Sequence, residues 1–117
     1  MVKRFLLASR TAMANTAVTV IDMEGELDTA TASDLESEIQ GLFGQGRYKI
    51  VLNMKNLTYI SSMGFGVLVK FIKQVRENHG DIKITHVRAD VHDIFQLMEL
   101  HYIFRILKTE EDGVREF

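Results

Sequence analysis

The chain has 117 residues, of which 46% are hydrophobic and 26% are charged, a composition typical of one packed globular domain and not of a disordered chain. Fourteen basic and sixteen acidic side chains leave a formal net charge of −2, so the chain has no overall attraction to nucleic acid or to an anionic membrane. No cysteine is present, which excludes disulfides, thiolate metal sites and cysteine nucleophiles.

The first residues contain too short an apolar run for an export signal or a membrane helix. Lys3 and Arg4 precede only four apolar residues, Phe5–Ala8. An export signal needs an apolar core of about 7–15 residues and a membrane helix needs about 20. We therefore predict a cytoplasmic protein that does not contact a membrane.

The first part of the chain predicts two strands followed by a helix. Val2–Ser9 is a short apolar run, which indicates an edge strand. Ala17–Gly25 alternates with a period of two and is rich in β-branched residues, which predicts a second strand. From Leu35 onward, apolar residues recur at the spacing of an amphipathic helix, and Thr29 or Thr31 is the expected N-cap.

The rest of the chain predicts three more strands that alternate with helices. Tyr48–Met54 is dense in β-branched residues, as in a strand buried on both faces, and Lys55–Ser61 is expected to be a connection. Ser62–Gly66 opens a second helix with a single apolar stripe. Beyond it we predict a fourth strand, a short helix with Asp90 as N-cap, a last strand and a terminal helix, at Ile82–His86, Val91–Met98, Tyr102–Leu107 and Glu110–Arg115.

The order of these elements is ββαβαβαβ with a short terminal helix. Strands that alternate with helices imply an α/β fold with one partly parallel sheet and right-handed crossovers. Because each long helix carries one apolar stripe, we expect the helices to pack on the sheet.

Motifs for metal and cofactor binding are missing from the sequence. The four histidines, at positions 79, 86, 92 and 101, are seven, six and nine residues apart, so surface or capping roles are expected for them and no metal site is predicted. Gly64 and Gly66 open a helix, but Val69 stands where a dinucleotide motif needs its third glycine. Ser62 has only half of the GxSxG pattern of a hydrolase. We predict no cofactor and no catalytic residue.

The start of the second helix is the most unusual segment of the chain. Ser62 is expected to be the N-cap, which is worth about 1 kcal/mol. Two glycines in the first turn cost roughly 1 kcal/mol each relative to alanine, which suggests that a neighbour approaches the backbone there. A phosphoserine would be tolerated at this helix start, beside Met63 and Val67, which we expect to be exposed. The segment is therefore a candidate phosphorylation switch.

At these residues the chain resembles the STAS domain family, specifically its stand-alone bacterial anti-sigma factor antagonists. Gly25–Asp28 resembles the turn after the family's second strand, and Ile50–Ile60 resembles its central strand and the following loop. Ser61–Gly66 resembles the family's phosphorylation motif. The resemblance covers nearly the whole chain. It implies one domain over residues 1–117, with a mixed sheet of four to five strands and helices packed mainly on one side.

The resemblance also implies partners and a site. In this family the unphosphorylated antagonist captures a GHKL-type serine kinase anti-sigma factor and thereby frees the sigma factor. The kinase then phosphorylates the motif serine, which ends the capture, and a metal-dependent serine phosphatase restores it. By this resemblance Ser62 is the phosphoacceptor, Ser61 is the alternative, and Asp28 corresponds to the family's acid near the nucleotide. The partner-binding residues implied are Asp28, Thr29, Ser61, Ser62, Met63, Gly64 and Val67.

Two residues depart from the family's motif. Ser61 stands where the family has an aspartate, and Met63 stands where it has a small residue. The first change removes a charge beside the acceptor and supplies a second hydroxyl. It also favours an alternative in which the domain is a non-phosphorylated scaffold of a signalling complex or a transport system. A third hypothesis, a small enzyme that uses Ser62 or a histidine, is the least favoured, so we expect no enzymatic activity.

Overall fold

Strands and helices follow one another in the predicted order in the computed structural model, which describes residues 5–117. The strands are β1 (Phe5–Thr11), β2 (Val18–Leu27), β3 (Lys49–Ile60), β4 (Asp81–Thr85) and β5 (Arg105–Leu107). The helices are α1 (Ala32–Gly44), α2 (Ser62–Glu77), α3 (Ala89–Leu97) and α4 (Glu110–Arg115), and a 3-10 turn spans Leu100–Tyr102.

The five strands form one mixed sheet with the order β1-β2-β3-β4-β5. β1 pairs with β2 in the antiparallel sense, and the three other pairs are parallel. Parallel neighbours need a crossover connection, and α1, α2 and α3 provide these. The predicted α/β class is confirmed.

Each face of the sheet has its own apolar cluster. On one face Ile50 and Leu52 of β3 belong to the main core, which α1, α2 and α3 cover. On the other face Val51 packs with Val20 of β2 and with Val114 of α4. Because side chains alternate along a strand, β3 supplies both clusters. The helices thus lie mainly on one side, as predicted, and only the short α4 lies on the other.

Several predicted boundaries are wrong. Residues 2–4 of the predicted first strand lie outside the described residues, and β1 continues to Thr11. Lys55–Ser61 is not a connection, because β3 runs on to Ile60 and stays paired with the end of β2. That part of β2 has two register shifts, which break the simple alternation that sequence patterns detect.

Two further predictions near the C-terminus are corrected and one is confirmed. The N-cap position of α3 is Arg88, so Asp90 lies inside the first turn of the helix. The last strand begins only at Arg105, because the 3-10 turn occupies residues 100–102. The terminal helix has the predicted bounds, Glu110–Arg115.

Candidate functional site

The start of α2 lies where the carboxyl ends of β2 and β3 meet. The backbone N–H of Ser61 donates to the carbonyl oxygen of Leu27 at 2.8 Å, which joins the two strand ends. The hydroxyl oxygen of Ser61 accepts from the N–H of Gly64 at 3.3 Å, so Ser61 is the N-cap of α2. The prediction that Ser62 is the N-cap is therefore wrong by one residue, and Ser62 is the first residue of the helix.

The two serines consequently differ in their surroundings. Ser61 is half-buried and its hydroxyl is held by the cap, whereas Ser62 is exposed. Within residues 5–117 the side chain of Ser62 has no hydrogen-bond partner. A hydroxyl at this position is accessible to another protein and has no structural role inside the fold.

The apolar neighbours of Ser62 are not both exposed. Met63 is 53% exposed, as predicted, but Val67 is only 4% exposed and belongs to the main core. The prediction that Val67 is a surface residue is wrong, because the helix turns it inward three residues after the buried Gly64. Tyr59, next to the end of β3, is 49% exposed.

At Gly64 the backbone of α2 lies close to the ends of β2 and β3. A Cβ atom built on Gly64 would lie 2.9 Å from Cγ of Leu27 and 3.0 Å from Cγ2 of Ile60. A Cβ built on Gly66 would meet nothing within 4 Å. The expected close approach is therefore found at the first glycine and not at the second.

Asp28 forms a turn between β2 and α1 that is closed by its own hydrogen bonds. Its Oδ1 accepts from the backbone N–H groups of Ala30 and Thr31, both at 3.0 Å. The hydroxyl of Thr31 accepts from the N–H of Asp28 at 2.9 Å and donates to the carbonyl oxygen of Glu26 at 2.7 Å. Thr31 has the predicted N-cap position of α1, but its side chain makes no cap bond and fixes this turn instead. Thr29 lies exposed in the turn.

These residues together form a small surface around the first turn of α2. The bond between Ser61 and Leu27 joins the start of α2 to the residue that precedes the Asp28 turn. Exposed Ser62 and Met63 provide the side chains that a partner protein could contact. We call this surface, with Asp28 and Thr29, the α2 surface.

Groups suited to metal binding are not assembled in the part of the chain that the structure describes. No set of three or more histidine, aspartate or glutamate side chains is placed to hold an ion there. His86 has a capping role, since its Nε2 accepts from the backbone N–H of Glu110 at 3.1 Å. Among the described helices, none is long and apolar enough to cross a membrane.

The strongest charge interactions lie on the α4 side of the sheet. Arg10 donates to Oδ2 of Asp22 at 2.8 Å and to Oε2 of Glu110 at 2.9 Å. These hydrogen bonds from Arg10 lower the pKa of Glu110 below its ordinary value of 4.5, and Asn53 adds to the effect. An open groove of about 890 Å³ lies beside Glu110, and no residue of the α2 surface lines it.

Comparison with known proteins connects this architecture to one family. Residues 10–113 match the sequence profile of the STAS domain. BtrV of Bordetella bronchiseptica is 27% identical over 95 residues, which are 81% of this chain and 82% of that protein. The anti-sigma F factor antagonist of Paenibacillus polymyxa is 26% identical over 100 residues, which are 85% of this chain and 86% of that protein.

Solved structures show the same fold at lower identity. An anti-sigma factor antagonist from Mycobacterium paratuberculosis is 18% identical, with a TM-score of 0.84 over 96% of this chain and 92% of that one. The Bacillus cell fate determinant SpoIIAA in its phosphorylated form is 22% identical, with a TM-score of 0.69 over 93% and 98%. The murine anion transporter Slc26a9 is 11% identical, with a TM-score of 0.74 over 97% of this chain and 22% of the transporter.

Proposed function

This chain belongs to the STAS domain family, and we propose that it acts as an anti-sigma factor antagonist, a protein-binding module and not an enzyme. Its relatives support this role, because the match to the anti-sigma F factor antagonist of P. polymyxa covers 86% of that protein. The proposed partner is a GHKL-type serine kinase that acts as the anti-sigma factor. The unphosphorylated chain captures this partner through the α2 surface.

The observation that carries the proposal is the position of Ser62 at the start of α2. It is exposed, it has no hydrogen-bond partner within residues 5–117, and it adjoins the exposed Met63. A phosphate on its hydroxyl would lie at a helix N-terminus, which favours negative charge. The domain would therefore keep its fold after phosphorylation.

Phosphorylation would weaken the capture through charge and desolvation. A phosphate adds about −1.5 to −2 charges to a surface on which the next residue is the exposed Met63. A partner that packs on Met63 would have to desolvate the phosphate, which costs free energy unless a cation pairs with it. A metal-dependent serine phosphatase would restore the capturing form.

Ser61 is the less suitable acceptor. Its hydroxyl accepts the N–H of Gly64, and its backbone N–H is bonded to Leu27. A kinase would have to break the cap to reach this hydroxyl, at a cost of about 1 kcal/mol. Serine and aspartate are both good N-caps, so the replacement of the family's aspartate by Ser61 keeps the helix start intact.

The test compares Ser62→Asp with Ser37→Asp, a control that adds the same charge to an exposed serine on α1. The probe is the kinase-type anti-sigma factor from the same genome, and binding is measured by titration calorimetry. We expect Ser62→Asp to weaken binding by about 100-fold or more, since an unpaired charge is buried in the complex, and Ser37→Asp to leave it unchanged. Equal binding by the wild type and Ser62→Asp would contradict the switch.

Phosphate transfer is measured separately by intact mass after incubation with the kinase, ATP and magnesium. We expect one phosphate on the wild type and on Ser61→Ala, and none on Ser62→Ala. A phosphate that persists in Ser62→Ala and is lost in Ser61→Ala would move the acceptor by one position.

A second candidate is a scaffold that is not phosphorylated, in a signalling complex or a transport system. The missing acid at position 61 and the shared fold with part of Slc26a9 favour it. This candidate predicts a stable complex with its partner and no phosphate on either serine.

A further inference from the structure

A second exposed apolar surface lies at the end of α3. It consists of Leu97, Met98, Tyr102 and Ile103, which we call the turn patch. Leu97 is 84% exposed and Tyr102 is 79% exposed, although both flank the buried Leu100. Isolated apolar side chains are common on protein surfaces, but four within seven residues on one turn indicate a contact surface. Tyrosine and methionine are also enriched at protein interfaces.

The turn patch lies beside the second half of α2. The guanidinium of Arg76 donates to the carbonyl oxygen of Ile103 at 2.6 Å, which fixes the last turn of α2 against this segment. At the other end, the ring of Phe65 packs edge-on against Phe95 of α3, with centroids 5.0 Å apart. Because α2 and α3 each connect two parallel neighbouring strands, both helices run opposite to the strands and therefore in the same direction. Lys73 lies about one helical turn before Arg76, which contacts Ile103.

The charges around the patch are divided between the two helices. Residues 89–104 contain three acids and no lysine or arginine, whereas residues 70–76 of α2 contain three basic residues and no acid. Lys70 and Arg76 have acidic partners in α1 and β4. Within the described residues, Lys73 and Glu99 are exposed and have no ion pair.

We propose that the turn patch is a self-association surface, on which a second copy of this chain binds. A twofold axis parallel to α2 and α3 places α2 of each copy opposite the α3 turn of the other. The two turn patches then meet at the centre, and Lys73 of each copy faces Glu99 of its partner. Such a surface is complementary to itself, as a twofold dimer requires. This inference does not depend on the proposed function.

The proposed dimer leaves the first residues of α2 free. Arg76 is 14 residues beyond Ser62, so the two ends of α2 are about 21 Å apart. A contact centred on the second half of α2 therefore leaves Ser62 and Met63 exposed at the other end.

The first test is sedimentation equilibrium of the whole chain from about 1 to about 500 μM, the range of a weak dimer. We expect the mean mass to rise toward twice the monomer mass with concentration. The double variant Leu97→Ser, Tyr102→Ser is expected to stay monomeric. Met13→Ser is the matched control, because Met13 is 98% exposed but lies on the hairpin between β1 and β2.

The second test exchanges the charges. Lys73→Glu alone and Glu99→Lys alone place like charges opposite one another twice in each dimer, so each variant is expected to dimerise at least 10-fold more weakly. An equal mixture of the two variants restores opposite charges in both contacts, and we expect it to dimerise like the wild type. Neither change removes a buried contact, and circular dichroism confirms that each variant is folded.

Three results would overturn the inference. The first is a wild type that stays monomeric over the whole concentration range, and the second is a mixture of charge variants that does not recover. The third is a dimer that forms in the double variant but not in Leu6→Ser. Leu6 is exposed on the edge strand β1, so loss of the dimer in this variant would place the contact at that edge.

Discussion

At the first turn of α2, adjacent residues have separate structural and surface roles. Ser61 caps the helix and Gly64 allows it to approach Leu27, while Ser62 and Met63 face solvent. The residue pattern predicted a site in this segment, but the N-cap is Ser61, one residue before the predicted Ser62. Either of two neighbouring serines fits the sequence pattern of an N-cap. Only the backbone geometry decides which hydroxyl accepts from the unpaired N–H groups in the first turn of the helix.

The two glycines of this turn give a prediction with an internal control. Gly64→Ala is expected to lower the free energy of unfolding by about 1–3 kcal/mol, because its Cβ would press on Leu27 and Ile60. Gly66→Ala is expected to raise it by about 1 kcal/mol, because the site is open and alanine favours the helix. Urea titration followed by circular dichroism measures both, and equal stability of the two variants would contradict the packing of α2.

The prediction that Val67 is exposed is wrong for a reason that a residue pattern cannot show. The resemblance to the family placed it on the binding surface, but its side chain is buried in the main core. The single apolar stripe predicted for this helix was too narrow, because the structure buries seven residues of α2, including Val67 and Phe71. A helix that lies flat on a sheet between two neighbouring helices buries more than one stripe, and those neighbours cannot be seen in a local pattern.

Among the elements, α4 is held to the sheet by both polar and apolar contacts. Glu110 connects it to Arg10 of β1 and to Asn53 of β3, and Val114 packs on Val51. The bounds of this helix were predictable because Thr109 is a typical N-cap followed by acids, and Thr109 does accept from the N–H of Asp112. Its contacts were not predictable, because Glu110 and Arg10 are 100 residues apart.

The ion pair between Arg10 and Glu110 makes the free energy of unfolding depend on pH. The pKa of Glu110 is lowered in the folded state by the hydrogen bonds from Arg10, so its contribution to stability is present above its ordinary pKa of 4.5. That contribution is lost as the pH falls through the lower folded-state pKa. Glu110→Gln is therefore expected to destabilise the protein at pH 7 and to have a smaller effect near pH 3.

Urea titrations at both pH values measure this difference. Glu111→Gln is the control, because its exposed side chain has no ion pair within the described residues. A destabilisation by Glu110→Gln that is the same at both pH values would contradict the role of the charge.

In the whole molecule, the same strands supply side chains to the apolar clusters on both faces of the sheet. Ile50 and Val51 are neighbours on β3 but belong to different apolar clusters. The order of strands and helices followed from the sequence, because hydrophobic periodicity is local. The division into two clusters did not, because it depends on which face α4 covers.

Because β3 belongs to both apolar clusters, we predict that the domain unfolds in a single cooperative transition. The methyl NMR signals of Leu68, in the main core, and of Val114, in the second cluster, are expected to vanish at the same urea concentration. Earlier loss of the Val114 signals alone would show that α4 unfolds independently of the sheet.

The start of α2 is fixed mainly by backbone groups and by one cap, and this has an evolutionary consequence. Within the described residues Ser62 makes no side-chain hydrogen bond and Met63 lies outside the core, so we expect mutations there to cost little stability. After gene duplication, two copies could diverge at these positions and acquire different partners while both stay folded. Two related signalling pathways would then stay separate because of two surface residues, without any change in the core.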